Sequence, residues 1–510
     1  MTNRKRSVLN LASAAIGQLL TIAIGFLLPR LFIINFGSEV NGLLSSANQI
    51  LVYLAIFEAG VGGVTLQALY GPIARQEWGA INGILSATNI YYKKTSFLYL
   101  ITLTGISVIY PLLIAVSMPH LTVSLIIFFV GLPQVASFFI QAKYVLLLRA
   151  DGKNYVITNL ITVINVLVGL VKVFLLLRRV SVLPVIIIQC LILLTQAIIL
   201  TRYTRRHYPQ LSLDVPPDYP AISQKNFMLV HQISALVFQN TDILILTMVA
   251  GLKVVSVYSV YKLVMSQMTN LVYILQSSVD FILGQTYQTD KNLYVSRIDR
   301  FESFFSALSF SVFAVIFYIL YDFVSLYTRD VQDVVYADRL LVLLFVSIEL
   351  LSVMRAPMLQ TINYAGHFRE TVPQSLLETG INLVVSLAAV YLWGIYGVLI
   401  GTITALLYRT NDIILYANRR LLHRSPRRTY KIHLLNILLF LLVQVLFRAL
   451  FQPAGTWVEL LTTSILAGCI SLPLFLAAQT LAWPDNRASF RYYLKNSRQL
   501  FQKVFKKQGK

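Results

Sequence analysis

Long apolar stretches separated by short polar segments dominate the chain. An α-helix needs roughly 20 apolar residues to cross a bilayer core about 30 Å thick. The stretches are continuous and lack period-two alternation, so they predict helices and not the strands of a β-barrel. We predict 14 spans, near residues 8–34, 40–70, 96–117, 122–147, 154–177, 183–201, 226–250, 254–284, 303–327, 336–362, 373–393, 395–417, 433–452 and 458–482.

The composition leads to the same class. Of the 510 residues, 57% are apolar and only 12% are charged, whereas soluble proteins carry about 25% charged residues. Mean hydropathy is +0.71. These values exclude a soluble enzyme, a secreted disulfide scaffold, a nucleic-acid-binding domain and a disordered chain as the main class. Cys190 and Cys469 both lie in apolar runs, where we expect them to pack as small apolar residues. The predicted fold class is an all-α polytopic membrane protein.

The basic residues predict the orientation. With the N-terminus inside, 30 of the 42 Lys and Arg residues fall in inner segments and four in outer turns. Such asymmetry marks the cytoplasmic side, so we expect both termini in the cytoplasm and the protein in the cytoplasmic membrane. The net charge of +21 is then explained by topology and by attraction to anionic lipids. No nucleic-acid partner is required.

Two basic inner loops divide the predicted spans into groups of six, six and two. The predicted segments are an N-terminal six-helix lobe (1–201), a basic cytoplasmic loop (202–225), a C-terminal six-helix lobe (226–417), a second basic loop (418–432), two extra transmembrane helices (433–482) and a basic amphipathic cytoplasmic tail (483–510). We expect the two lobes to be related by a pseudo-twofold axis. A shift of 214 residues places Gly37 on Gly251 and Ser45 on Ser259, although apolar composition alone yields about as many identities. Each lobe begins with two long spans joined by a tight outer turn, 8–34 with 40–70 and 226–250 with 254–284, and this span pattern favours an internal duplication.

No motif indicates catalysis. The chain has no phosphate-cradling Gly-x-x-x-x-Gly-Lys-Ser/Thr loop. Its six histidines form no cluster with metal-ligand spacing. We therefore predict no catalytic residue, no metal site and no cofactor, and the protein is not expected to be an enzyme.

Ionisable residues inside the spans are the chemical candidates, because a charge facing lipid costs several kcal/mol. The cations are Arg30, Lys172, Lys262, Arg355 and Arg409. If they converge between the lobes, they form a positive cavity suited to a phosphate or diphosphate. The alternative for Arg30, Lys172, Lys262 and Arg409 is that the side chain snorkels to the membrane surface.

Two carboxylates lie far from the span ends. Glu58 and Asp242 are predicted to be an ion-coupling site or charge partners of the cations. Arg409 and Asp412 are three residues apart, so they can pair on one helix face. The predicted hinge residues are Pro29, Gly60, Gly62 and Gly63.

Several motifs resemble those of a known family. They are residues 32–43 (FIINFGSEVNGL), Phe57-Glu58-Ala59-Gly60, Leu69-Tyr70, Asn240-Thr241-Asp242, residues 257–261 (VYSVY) and residues 394–402 (GIYGVLIGT). Their order resembles polysaccharide biosynthesis proteins of the Wzx flippase type. The resemblance implies the fold of the multidrug/oligosaccharidyl-lipid/polysaccharide exporter superfamily. It also implies an undecaprenyl-diphosphate-linked oligosaccharide as substrate, with a polysaccharide polymerase and glycosyltransferases as partners.

Three other functions stay open on the sequence. A cation-coupled multidrug extruder would need a more acidic cavity. A lipid II flippase shares the predicted number of helices. A non-transporting scaffold of a glycan-assembly complex would use the basic inner loops and tail for docking. No cation-site motif matches residue by residue, so the sequence assigns no coupling ion.

Overall fold

The computed structural model describes residues 3–54, 61–222, 240–483 and 487, and every regular element in these ranges is helical. The α-helices are α1 (Asn3–Leu54), α2 (Val61–Ala74), α3 (Trp78–Leu113), α4 (His120–Ala136), α5 (Ala142–Ala150), α6 (Asn154–Leu177), α7 (Val182–His207), α8 (Asn240–Val249), α9 (Leu252–Thr289), α10 (Lys291–Tyr327), α11 (Arg339–Ala365), α12 (Phe368–Trp393), α13 (Ile395–Tyr416), α14 (Arg427–Leu450) and α15 (Trp457–Ala482). Single π-helical turns follow α4 at Ser137–Gln141 and α13 at Ala417–Leu421.

Eleven helical segments within the described ranges are long and apolar enough to cross a membrane. This confirms the predicted all-α, multi-pass class. The number 14 stays a prediction, because much of the predicted span 226–250 lies outside the described residues and only α8 represents it.

A glycine bends the first helix. Gly37 has φ +83° and ψ 172°, a conformation that L side chains rarely adopt. The helix restarts at Ser38, where Asp333 accepts hydrogen bonds from the backbone N (2.9 Å) and from Oγ (2.6 Å). A carboxylate satisfies the free N–H of a helix start and complements the helix dipole. Helix α1 runs through the predicted hinge residue Pro29, and its non-helical residue is Gly37.

Gly37 and Gly251 both have a positive φ, while the predicted duplication stays a prediction. Gly251, which the shift of 214 residues places on Gly37, has φ +84°. Beyond each glycine a helix continues, and these two helices touch where Gly42 faces Leu252. A Cβ on Gly42 would lie 1.9 Å from the Leu252 carbonyl oxygen, so only glycine fits there without backbone movement.

Contacts divide the chain into two units. The first unit contains the described residues of Met1–Val260, Asp330–Val335 and Ser386–Val398. The second contains those of Tyr261–Arg329, Tyr336–Val385 and Leu399–Lys510. The first has a core of aliphatic and aromatic side chains centred on α1, α3, α4 and α7. In the second, α10 packs against α11, α14 and α15. The predicted grouping into six, six and two helices stays a prediction.

Candidate functional site

Four charged side chains meet inside the second unit. Glu378 on α12 bridges two arginines: its Oε1 lies 2.6 Å from Arg355 Nη1 on α11, and its Oε2 lies 3.5 Å from Arg409 Nε on α13. Arg409 also pairs with Asp412 through Nη1. The side chains of Arg409 and Glu378 are only 4% and 9% exposed. We call these four residues the ionic cluster.

Helix geometry explains how the ionic cluster forms. Arg409 and Asp412 are three residues apart, so they share a face of α13 and pair as predicted. Ser375, one turn before Glu378 on α12, accepts a hydrogen bond from Arg409 Nη2 at 3.1 Å. The flat guanidinium thus reaches three partners at once, a geometry that an ammonium group cannot reproduce.

The ionic cluster is electrically balanced. Its two arginines, both predicted to bind substrate, are brought together by the fold. Each, however, already has a carboxylate partner, so the four formal charges sum to zero. Glu378 was not among the predicted site residues, although it lies inside the predicted span 373–393. Counting every ionisable residue in that span would have found it.

A further carboxylate extends the charged region of this unit. Glu349 on α11 accepts a hydrogen bond from Thr269 Oγ1 on α9 at 2.7 Å and is attracted electrostatically to the predicted cation Lys262. Tyr273 on α9 lies within electrostatic range of both Glu349 and Arg355. The predicted cations Lys262 and Arg355 therefore belong to one neighbourhood that contains several carboxylates.

The predicted cations of the first unit have different surroundings. Arg30 Nη2 lies 3.2 Å from Asp330 Oδ2, and both side chains are accessible, at 26% and 61% exposure. The Lys172 ammonium lies 5.3 Å from the centre of the Phe32 ring, a cation–π distance. Lys172 forms no ion pair with any side chain in the described part of the chain.

Asp242 is a buried carboxylate of the first unit. It is 6% exposed and accepts a hydrogen bond from Tyr258 Oη on α9 at 2.9 Å. Its neighbour Thr241 bonds Tyr53 Oη at 2.9 Å. The predicted charge partner Glu58 and the predicted hinge residue Gly60 lie outside the described residues, whereas the predicted hinge residues Gly62 and Gly63 fall in the first turn of α2.

No group of three or more His, Cys, Asp or Glu side chains in the described ranges could hold a metal ion. The polar chemistry inside the helices consists instead of ion pairs, hydroxyl hydrogen bonds and a lysine beside an aromatic ring. Such groups can hold an anionic or cationic substrate and can move protons.

Comparison with known proteins places the fold among membrane transporters. No family model matches the chain, and no curated protein matches its sequence. The chain is similar to the structure of the lipid II flippase MurJ in an inward closed conformation, with a TM-score of 0.65, 13% identity, and coverage of 91% of this chain and 99% of that one.

Two multidrug transporters are also similar. One is an inward-facing MATE family transporter of the MOP superfamily, with a TM-score of 0.57, 13% identity, and coverage of 79% of this chain and 97% of that one. The other is the MATE transporter DinF-BH in complex with R6G, with a TM-score of 0.55, 15% identity, and coverage of 81% and 95%. The chain therefore has the fold shared by these flippases and multidrug transporters.

Proposed function

We propose that this protein is a flippase that carries an undecaprenyl-diphosphate-linked oligosaccharide across the cytoplasmic membrane by alternating access. The observation that carries the proposal is the likeness to a lipid II flippase over 91% of the chain. The matches to the two multidrug transporters extend over 79% and 81% of it. The sequence motifs point in the same direction, since they resemble flippases of lipid-linked saccharides.

Lys172 is the residue we assign to the diphosphate. It presents an ammonium within the bilayer span of α6, beside an aromatic ring, with no ion pair in the described ranges. A desolvated cation of this kind gains strongly from a phosphate oxygen. Arg30, at 26% exposure and paired with the accessible Asp330, would exchange that carboxylate for the same ligand. Arg355 and Arg409 would contribute to the substrate only by leaving the carboxylates that now neutralise them.

The deciding experiment is a leaflet-resolved assay in reconstituted vesicles. The probes are an undecaprenyl-diphosphate-linked glycan, lipid II and the lipophilic cation R6G. We expect the chain to move the glycan lipid, and we expect Lys172→Gln to reduce that rate at least about tenfold through the lost charge-assisted contact. Arg178→Gln, at the exposed end of the same helix, is the matched control and should stay within about twofold. Movement of lipid II without the glycan lipid would make lipid II the substrate. Absence of all movement would favour the scaffold function.

A cation-coupled multidrug extruder is the second candidate. The buried Asp242 favours it, because a carboxylate at this depth suits a cationic drug or a coupling proton. The two functions separate in the same assay. An extruder would move R6G with a rate that falls in Asp242→Asn and would leave the glycan lipid in its original leaflet.

The orientation in the cytoplasmic membrane is part of this proposal. It places both termini and the basic segments 202–225 and 418–432 on the cytoplasmic side, where a polymerase or glycosyltransferases would dock. A reporter fused after Lys510 should report a cytoplasmic location. A signal from the opposite side would contradict the proposed orientation.

A further inference from the structure

A cavity of about 620 Å³ lies within the first unit, between the middle of α3, the start of α5 and the end of α7. The chain after α7 closes one side of it through Tyr208 and residues 209–214. The volume is in the range of small-molecule sites, roughly 300–1,000 Å³. The cavity contains neither Arg30 nor Lys172, so it is separate from the residues that we assign to transport.

Three cations from three helical elements line this cavity. They are Lys93 on α3, Lys143 on α5 and Arg205 on α7, and both of the others repel the Lys143 ammonium. Asp214 is the one carboxylate among the described lining residues. An anion that lies between these cations relieves their mutual repulsion, so the cavity favours a negatively charged ligand.

The hydrogen-bonding groups of the cavity are only partly used. Lys143 is 6% exposed and donates to the Phe139 carbonyl oxygen at 3.1 Å, which leaves two of its three N–H groups for a ligand. Asn89 is 8% exposed, and its Oδ1 has no hydrogen-bond partner in the described part of the chain. Thr201 Oγ1 also has no hydrogen-bond partner in the described part of the chain. A buried amide oxygen without a donor is costly, so a matching ligand carries hydroxyl groups beside its anion.

An apolar edge continues the cavity toward the outside of the helices. Phe139 and Ile140 lie on the π-helical turn Ser137–Gln141 and also line the cavity. The Phe139 side chain is 50% exposed on the surface of a helix long enough to span the membrane. Such π-helical turns are frequent at functional sites. An acyl chain can therefore lie against this edge while a polar headgroup enters the cavity.

We propose that this cavity binds the headgroup of an anionic phospholipid whose phosphate carries a hydroxylated substituent, as in phosphatidylglycerol. The phosphate lies among Lys93, Lys143 and Arg205, and a headgroup hydroxyl donates to Asn89 Oδ1. Basic pockets between membrane helices are known to take anionic lipid headgroups. The proposal goes beyond the transported substrate and concerns a lipid of the surrounding bilayer.

The test is a binding titration of the purified full chain by native mass spectrometry. The probes are phosphatidylglycerol, phosphatidylcholine and soluble glycerol 3-phosphate. We expect phosphatidylglycerol to bind at least about tenfold more tightly than either of the others. Lys93→Gln and Arg205→Gln should each weaken it about tenfold. Arg206→Gln is the matched control, because Arg206 is exposed, adjacent in sequence and not part of the cavity lining.

Two results would overturn the proposal. An equal loss in Arg206→Gln would show that surface charge and not the cavity holds the lipid. Glycerol 3-phosphate binding as tightly as phosphatidylglycerol would assign the cavity to a soluble phosphate.

A separate experiment tests the role of Asn89. Phosphatidic acid lacks the glycerol hydroxyls, so we expect the wild type to prefer phosphatidylglycerol over it approximately fivefold. Asn89→Leu should abolish this preference. A preference that persists in this variant would contradict the hydroxyl contact.

Discussion

The two units bury polar groups in different ways. In the second unit, Arg355, Glu378, Arg409 and Asp412 join three helices through charged contacts. In the first unit, the polar contacts among α1, α3, α8 and α9 are mostly between neutral groups. They are Asn41 to Ser256 at 2.8 Å, Tyr110 to Ser46 at 2.7 Å, Thr247 to Ser46 at 2.9 Å and Tyr53 to Thr241 at 2.9 Å.

This difference bears on how each unit can rearrange. Separating buried ions leaves uncompensated charges in a medium of low dielectric constant, so α11, α12 and α13 are expected to move as one body. Neutral hydrogen bonds between membrane helices contribute about 0.6 kcal/mol on average. Helix α1 can therefore exchange its neutral hydrogen-bond partners on α8 and α9 at small cost, as the proposed alternating access would require.

The largest expected effect is that of Glu378→Gln. It removes the carboxylate that bridges two buried arginines, and breaking a buried ion pair costs about 3–5 kcal/mol. We expect a loss of this size in the free energy of unfolding, measured by denaturant titration in detergent. Glu370→Gln, at an exposed position in the first turn of the same helix, is the control and should cost less than about 0.5 kcal/mol. Equal costs would show that the ionic cluster does not hold the three helices together.

The sequence predicts the fold far better than this charged site. Long apolar runs determine a helical membrane class without any long-range information. Arg409 and Asp412 are also readable, because their partnership follows from a spacing of three residues. The contact of Ser38 with Asp333 spans 295 positions, and no local pattern encodes it. The sequence also does not predict that the ionic cluster is neutral. Its neutrality depends on which face of α12 meets α11 and α13, and no local pattern encodes that contact.

Arg409→Lys tests whether geometry matters in the ionic cluster beyond charge. Lysine keeps the positive charge but lacks the planar fork that reaches Glu378, Asp412 and Ser375. We expect a loss of about 2 kcal/mol in the free energy of unfolding, since at least one charge-assisted hydrogen bond disappears. Arg448→Lys, at an exposed position on α14, should be nearly neutral. A neutral result at Arg409 would mean that charge alone stabilises this cluster.

Ser46→Ala measures a neutral contact in the first unit. Ser46 Oγ accepts hydrogen bonds from Tyr110 Oη and from Thr247 Oγ1, so its removal leaves a buried tyrosine hydroxyl without this acceptor. We expect a loss of about 1–2 kcal/mol. Adding Tyr110→Phe should recover part of it, because both partners are then apolar. A loss as large as that of Glu378→Gln would remove the proposed distinction between the units.

One ion pair of the first unit lies in the connection after α5, outside the membrane-spanning helices. Lys153 Nζ lies 2.8 Å from Asp151 Oδ2, and both side chains are about one-third exposed. Tyr208 Oη donates to the same carboxylate at 2.5 Å. Partial burial opposes ionisation of Asp151, yet the hydrogen bonds from Lys153 and Tyr208 outweigh it and lower the pKa of Asp151. Hydrogen bonding to Asp151 raises the pKa of Lys153.

Asp151→Asn is therefore expected to have the smallest effect and a distinct dependence on pH. Because the folded state lowers the pKa of Asp151, the carboxylate stabilises the fold above the unfolded pKa of about 4, and this contribution disappears as the pH falls through the folded value. Solvent screening limits the contribution to about 0.5 kcal/mol at pH 7. The gap between wild type and Asp151→Asn in unfolding free energy should close on acidification. A gap that widened on acidification would contradict the assigned hydrogen bonds and would make this exposed pair resemble the buried ones of the second unit.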